Sequence, residues 1–370
     1  MNILILNWKD IKHPQVGGAE IIVYELAKRL VKDGHKVTWF CRSFVGCSPE
    51  EIMDGIKIIR RGNLITTYLY APIYYWTSSK KPDLVIDISN TIYWQTPVWA
   101  FASKKIAYLN QLAKDVFFYE FPRGISRLGI FFEKLQYLPY RWSKFVCYAK
   151  STRMDLMNLG IPRNQIKIFT LGVDHKRYTP GKKSKTPLFI CLNRLVNMKR
   201  TDLVVQAMSY VSKRFPEIKL VIIGTGYARK KLGILRDDLK LQNTVSFADE
   251  NTWYFKKDKR DKKISLMQSA WALICPSVKE GWGMTVTECA ACKTPSIVSN
   301  VTGLCDSVVD KVTGVVISAN PPPEEIAKAI IKLANDHTLR TRLSSGAHQY
   351  SQKMNWEKCY QEFRDIIISA

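Results

Sequence analysis

A chain of 370 residues is too long for one compact core, so two domains are the default expectation. Hydrophobic residues at 46% and charged residues at 24% fall in the ordinary globular range, not that of disordered or fibrous chains. Against 32 Asp and Glu stand 56 Lys and Arg, a net charge of +24 that favours an anionic partner: a phosphorylated substrate, an acidic bilayer surface or nucleic acid.

The chain opens on an apolar strand, Ile3 to Leu6, then the glycine pair Gly17 and Gly18 in "GGAE". A helix-period run from Glu20 to Lys32 and a strand in "HKVTWFC" follow. "DLVIDIS", "KIAYL", "SKFVCYAK" and "IKIFTLGVD" continue the series. Short buried strands alternating with helices predict βαβ units and a parallel sheet. At "YTPGKKSKTP" Pro, Gly, Ser and Lys cluster without apolar periodicity, which reads as an interdomain linker. A second series follows: "LFICLN", "KLVIIG", "TVSFA", "WALICP", "PSIVS" and "GVVIS", with a closing helix from about Trp356 to Ile368. The expected domains are residues 1–178 and 179–350, with 351–370 packing back on the first. The charged stretch "FKKDKRDKK", Phe255 to Lys263, reads as a solvated surface loop.

Nine cysteines sit mostly inside apolar runs, the pattern of buried thiols in a reducing compartment. The close pair Cys289 and Cys292 has no second pair and no nearby histidine, so a metal site is not expected. "MNILILNW" lacks a basic leader region, and no apolar run reaches the roughly 18–20 residues of a spanning helix. A soluble or membrane-peripheral chain is expected.

Chemistry concentrates after the strands of the second series. "LNRLVNMKR" places Arg194 and Lys199 at a strand's carboxyl end, where two cations can neutralise a diphosphate. Taken alone they would read as surface charges in a loop. "IGTGYARKKL" sets Gly224 and Gly226 between a strand and a helix, a place for close backbone approach. In "KEGWGMTVTE", Glu280 lies in a loop and Glu288 on the second turn of the helix that follows, with seven residues between them. The amides around Gly283, Met284 and Thr285 form that helix's N-terminus, which suits a phosphate. Glu280 can then read hexose hydroxyls and Glu288 a ribose diol. A two-carboxylate hydrolase is the competing reading of the pair, but it leaves Arg194 and Lys199 unexplained.

"NRLVNMKR", "GTG" and "PSVKEGWGMTVTECAACKTPSIVS" resemble the donor-binding half of family-4 retaining glycosyltransferases with the GT-B fold. "PQVGGAE" and "YLNQLAKDVFFYEFP" resemble that family's glycine loop and acceptor-side loop. The resemblance covers nearly the whole chain. It implies two Rossmann-like domains facing each other across a cleft, with a nucleotide diphosphate sugar as donor substrate and no cofactor or metal. In that frame Arg194 and Lys199 stabilise the leaving diphosphate, Glu280 contacts the donor sugar and Glu288 the nucleotide ribose. Gly17 and Gly18 would let backbone approach the phosphates. No Asp-x-Asp occurs in the chain.

Two positions depart from the family pattern. Where many relatives carry a donor-contacting histidine, this chain has Asn110, or on a shifted match Gln111. Where relatives usually have glycine it has Lys293. The first departure supports an alternative reading, a non-catalytic nucleotide-binding partner subunit.

Aromatics crowd the first half. Leu128, Phe131, Phe132, Leu135 and Leu138 recur at helical spacing beside Arg127, Lys134, Arg141 and Lys144. Such a stretch is either core or an amphipathic face for an anionic membrane, which would suit a lipid-linked or cell-surface glycan acceptor. The expected location is cytoplasmic, peripheral on the inner face of the membrane. No nucleic-acid module is evident, and nucleic acid is not an expected partner.

Overall fold

Apolar runs of four to six residues between polar turns are the pattern of strands covered on both faces. The computed structural model describes residues 1–248 and 257–369, and it assembles these runs into two sheets. The chain divides into two compact units. Met1–Phe117, Arg123–Gly172 and Trp356–Ala370 form the first; Phe118–Pro122 and Val173–Asn355 form the second.

The first unit holds β1 (Asn2–Leu6), β2 (Lys36–Cys41), β3 (Glu50–Met53), β4 (Ile56–Arg60), β5 (Leu84–Ser89), β6 (Lys104–Leu109), β7 (Lys144–Cys147) and β8 (Ile166–Ile168). Their order is β3-β4-β2-β1-β5-β6-β7-β8, parallel throughout except for the antiparallel pair β3–β4. Its helices are α1 (Gly18–Lys32), α2 (Thr67–Thr77), α4 (Arg123–Leu135) and α5 (Lys150–Asn158), while α3 (Val116–Glu120) runs from the first unit into the second.

The second unit holds β9 (Leu188–Leu192), β10 (Lys219–Ile223), β11 (Val245–Ala248), β12 (Ala272–Cys275), β13 (Ser296–Ser299) and β14 (Gly314–Ile317), all parallel in the order β11-β10-β9-β12-β13-β14. Its helices are α6 (Thr201–Ser212), α7 (Arg229–Asp238), α8 (Lys257–Ser269), α9 (Met284–Ala291), α10 (Leu304–Ser307), α11 (Pro323–Asn335) and α12 (His337–Ser351). The chain then returns to the first unit as α13 (Trp356–Ile368), where the Tyr360 hydroxyl donates to Asp33 at 2.6 Å.

The direction of strand addition reverses between β1 and β5 in one sheet and between β9 and β12 in the other. In open parallel sheets, ligands bind outside the carboxyl ends of strands at such switch points.

Three local features differ from the sequence reading. The hairpin β3–β4 was not anticipated, although Asp54 and Gly55 carry the positive φ of 48° and 77° that a two-residue hairpin turn demands. The segment "YTPGKKSKTP" is no free linker but lies inside the second unit. Gln268 of α8 donates to the Thr179 carbonyl at 2.9 Å, and the Trp271 indole donates to the Ser184 carbonyl at 2.8 Å. The charged run "FKKDKRDKK" is helical from Lys257 onward as the start of α8, and is not a loop; Phe255 and Lys256 lie outside the described residues. Lys and Arg are good helix formers, and the buried Ile264, Met267 and Ala270 downstream anchor the helix to the core.

The aromatics of the first unit divide between two fates. Tyr75, Tyr93, Trp94, Tyr137 and Tyr140 are buried in its core clusters. The helical-spacing set on α4 is not: Leu128, Phe131, Phe132 and Leu135 are all exposed, as are Leu138 and Trp142.

Candidate active site

In the second unit, the loops leaving β9 and β12 meet at the switch point. The β9 loop bends through a single 3-10 turn, Asn197–Lys199, that buries Lys199 beneath it. Val278 donates its N–H to the Met198 carbonyl at 2.9 Å and so clamps the β12 loop to this turn. The Lys199 ammonium is ion-paired with Glu280 Oε1, which also accepts from the Ser277 hydroxyl at 2.9 Å. Among the described residues Glu280 Oε2 has no hydrogen-bond partner, so one oxygen is fixed and one is available. Arg194 is exposed and has no partner among the described residues, so its five donors are open to a ligand.

Gly224 and Gly226 meet a packing need of the protein itself. A Cβ on Gly224 would stand 1.8 Å from the Asn193 carbonyl oxygen, and one on Gly226 2.2 Å from that of Leu195. Their φ of 144° and 157° and their lack of a side chain let the turn after β10 lie directly on the Arg194 loop. The Leu195 N–H donates to the Thr225 carbonyl at 2.8 Å across this contact. The two glycines therefore shape the loop that carries the cations.

Gly283, at φ 92°, is the N-cap of α9, and Met284 and Thr285 open its first turn. Their amides point off the helix end without intrahelical acceptors, a small region of positive potential. Glu288 lies on the next turn, buried, with Oε2 accepting from Lys263 at 2.7 Å. No hydrogen bond joins Glu280 to Glu288; each is held by its own lysine. Lys293 follows α9 with φ 59°, a left-handed conformation that glycine adopts most easily, which fits the glycine that the family resemblance implies here.

Several contributors were not singled out from sequence. Gly303, after β13, packs so closely that a Cβ would lie 2.2 Å from the Glu280 carbonyl oxygen; the "TGL" turn after a strand was the available signal. Ser277 and Lys263 each hold a glutamate. Residues Phe118–Pro122, a strap belonging to the second unit, lie on the Lys199 turn. Glu120 accepts from the Met198 N–H at 2.9 Å and from the Tyr227 hydroxyl, which in turn accepts from the Asn197 N–H at 2.9 Å. Nothing in local sequence pairs residue 120 with residue 198.

In the first unit, Gly17 caps α1, its N–H donating to Glu20 at 2.7 Å, and Gly18 begins the helix. The nearest atom to a Cβ on Gly17 is 3.4 Å away, so the protein itself does not crowd this position. Asn110 belongs to a polar ladder across strand ends at the β1/β5 switch point. Asn90 donates to Asn7 at 2.5 Å, Asn110 donates to Asn90 Oδ1 at 2.9 Å and to the Ser89 carbonyl at 3.1 Å, and the Tyr148 hydroxyl donates to Asn110 Oδ1 at 3.1 Å. Both amide hydrogens of Asn110 are thus committed, and only an acceptor lone pair is left. Gln111 Oε1, by contrast, is buried without a hydrogen-bond partner among the described residues.

Residues 16–177 match the family described as Glycosyltransferase Family 4, and residues 173–350 match Glycosyl transferases group 1. The chain belongs to this glycosyltransferase family. Among its relatives is an uncharacterized glycosyltransferase of Methanocaldococcus jannaschii, 28% identical over 60% of this chain and 58% of the relative. A D-inositol 3-phosphate glycosyltransferase of Nocardiopsis dassonvillei is 23% identical over 56% of this chain and 51% of the relative. A poly(glycerol-phosphate) alpha-glucosyltransferase of Bacillus subtilis is 31% identical over 51% of this chain and 27% of the relative. The chain spans about half the length of the curated relatives it matches first.

Solved structures extend the likeness over the whole glycosyltransferase chain. Sucrose-phosphate synthase of Thermosynechococcus elongatus superposes with a TM-score of 0.81 at 18% identity, covering 100% of both chains. WaaG, a glycosyltransferase involved in lipopolysaccharide biosynthesis, gives 0.77 at 16% identity, also over 100% of both. Anabaena HepE, solved with UDP and glucose, gives 0.74 at 16% identity over 100% of both. At these identities the likeness establishes the fold, GT-B, in agreement with the family and fold read from the motifs.

Proposed function

We propose that this glycosyltransferase-family protein moves a hexose from a nucleotide diphosphate sugar to an acceptor hydroxyl, with retention at the anomeric carbon and without a metal ion. The observation that carries the reading is the grouping of the open Arg194 guanidinium, the Lys199–Glu280 pair and the α9 N-terminus at the β9/β12 switch point. Arg194 and the amides of Met284 and Thr285 would receive the diphosphate, supplying the positive charge that leaving-group departure needs. The free oxygen of Glu280 would accept from a sugar hydroxyl, and Glu288 from the ribose. The acceptor hydroxyl then attacks on the leaving-group face, its proton passing to the departing phosphate oxygen. Arg194→Ala or Glu280→Ala is expected to lower transfer at least ~100-fold. Turnover at the level of the unaltered protein in either variant would remove this site assignment.

The acceptor is proposed to be lipid-linked and met at an anionic membrane from the cytoplasmic side. The exposed α4 face, with Phe131 and Phe132 each 56% exposed beside Arg127 and Lys134, supports this, as do Arg141 and the 83% exposed Trp142 shortly after the helix. Among the described residues no helix is long and apolar enough to cross a membrane. Co-sedimentation with phosphatidylglycerol vesicles, lost in Phe131→Ser/Phe132→Ser, tests it; equal sedimentation of both proteins would refute the contact.

A second reading, a nucleotide-binding partner subunit without turnover, is supported by Asn110, whose amide hydrogens are committed to the ladder. Titration with nucleotide diphosphates alongside donor hydrolysis separates the two: binding without any hydrolysis or transfer favours the subunit.

A further inference from the structure

Glu280 and Glu288 share one arrangement: a nearly buried carboxylate with one oxygen held by a lysine and the other without a partner among the described residues. Lys199 holds the first and comes from the loop the family motif already marks. Lys263 holds the second and comes from elsewhere, as the last residue of the charged run that begins α8. Its ammonium donates to Glu288 Oε2 at 2.7 Å, with the two side chains only 13% and 8% exposed. The Tyr178 ring lies 5.7 Å away and flanks the ammonium.

We infer that Lys263 is a positioning residue for nucleotide recognition, holding Glu288 so that Oε1 is presented to a ribose diol. The inference rests on the donor reading above. A carboxylate so shielded from water needs a compensating charge, and a free carboxylate would turn about its last torsion. With Oε2 fixed by a charge-assisted bond, the rotamer is set before the nucleotide arrives, and the ordering is not charged against binding. Lys263 therefore acts through Glu288 and does not itself touch the diol. Its removal should weaken the ribose contact specifically and leave the phosphate contacts alone.

The test is titration of UDP, ADP and GDP, and of their 2′,3′-dideoxy counterparts, into the full chain, followed by donor kinetics. Lys263→Met should weaken the preferred ribonucleotide about tenfold, the scale of one hydrogen bond to a charged group. It should leave the dideoxy nucleotide unchanged, so the ribose preference collapses toward one. Lys263→Arg should restore affinity to within about threefold. KM for the donor should rise with kcat little changed. Equal weakening of both nucleotide forms, or no weakening of either, overturns the inference. Should the Met variant fail to fold, Lys263→Gln carries the same comparison. Failure of the unaltered protein to bind any of the nucleotides overturns the donor reading itself, a result separate from loss of the ribose preference.

Discussion

The Lys199 ammonium and the Glu280 carboxylate form an ion pair that ties the carboxyl end of β9 to that of β12, with the side chains 10% and 17% exposed. Removing one partner leaves the other charged and poorly solvated, so single changes should cost more than the pair is worth. Lys199→Met and Glu280→Gln are each expected to lower kcat/KM by at least ~100-fold, and the double variant by no more than the worse single one. Full additivity in a double-mutant cycle would show that the two residues act separately.

Glu120 holds the turn that carries Lys199 from outside. It takes the Met198 N–H directly and the Asn197 N–H through Tyr227. Glu120→Ala should raise the donor KM by roughly five- to tenfold, the scale of one lost charge-assisted hydrogen bond. Glu120→Gln retains an acceptor and should fall between. The measurement is steady-state kinetics over a range of donor concentration. An unchanged KM in the Ala variant would reduce the strap to a passive neighbour.

How much of this was legible in the sequence depends on the range of the interaction. Strands β1, β9 and β12 are short apolar runs whose character is local, and the α9 site is a continuous motif, so both could be read directly. Arg194 and Lys199 were legible through their position after a strand. Lys263 was not, because helix α8 brings it to Glu288 across 25 residues of sequence. Glu120 is further still, 78 residues from Met198. Asn110 is legible only as the residue at a motif position where the family resemblance implies a donor-contacting histidine. Its commitment to Ser89 and Asn90 depends on three strands lying side by side, and no local pattern encodes that.

Glycines that look alike in sequence should behave differently. Gly224→Ala would drive a Cβ to within 1.8 Å of backbone, at a φ that side chains rarely adopt, and neither backbone segment can yield without breaking the loop. A loss of about 3 kcal/mol in unfolding free energy is expected, read by urea denaturation. Gly17→Ala meets nothing closer than 3.4 Å at an ordinary φ of −136° and should cost no more than about 1 kcal/mol. If Gly17 serves close approach to a phosphate, the same change should still lower donor turnover tenfold or more. Unaltered turnover would assign it to helix capping alone.

Lys183 tests the packing of the segment that the sequence marked as a linker. Its ammonium reaches Thr294 Oγ1 near the C-terminal end of α9. Burial draws its pKa from 10.5 down to about 8; the nearby Cys289 and Cys292 thiols oppose the shift and Lys293 adds to it. The folded state thus gives up this proton near pH 8 and the unfolded chain near 10.5. Between those values the unfolded chain binds more protons, so this group's contribution to stability rises with pH. Below pH 8 the burial penalty is present in full; above 10.5 it is gone. Lys183→Met, which carries no charge to bury, should be more stable than the unaltered protein at pH 7. Its advantage should shrink by on the order of 3 kcal/mol between pH 8 and 10.5. Urea unfolding of both proteins at pH 7, 8, 9 and 10 gives the difference directly, with all other titrating groups cancelling. A difference that stays flat across that range would mean that Lys183 remains solvated, and that the segment does not dock on α9.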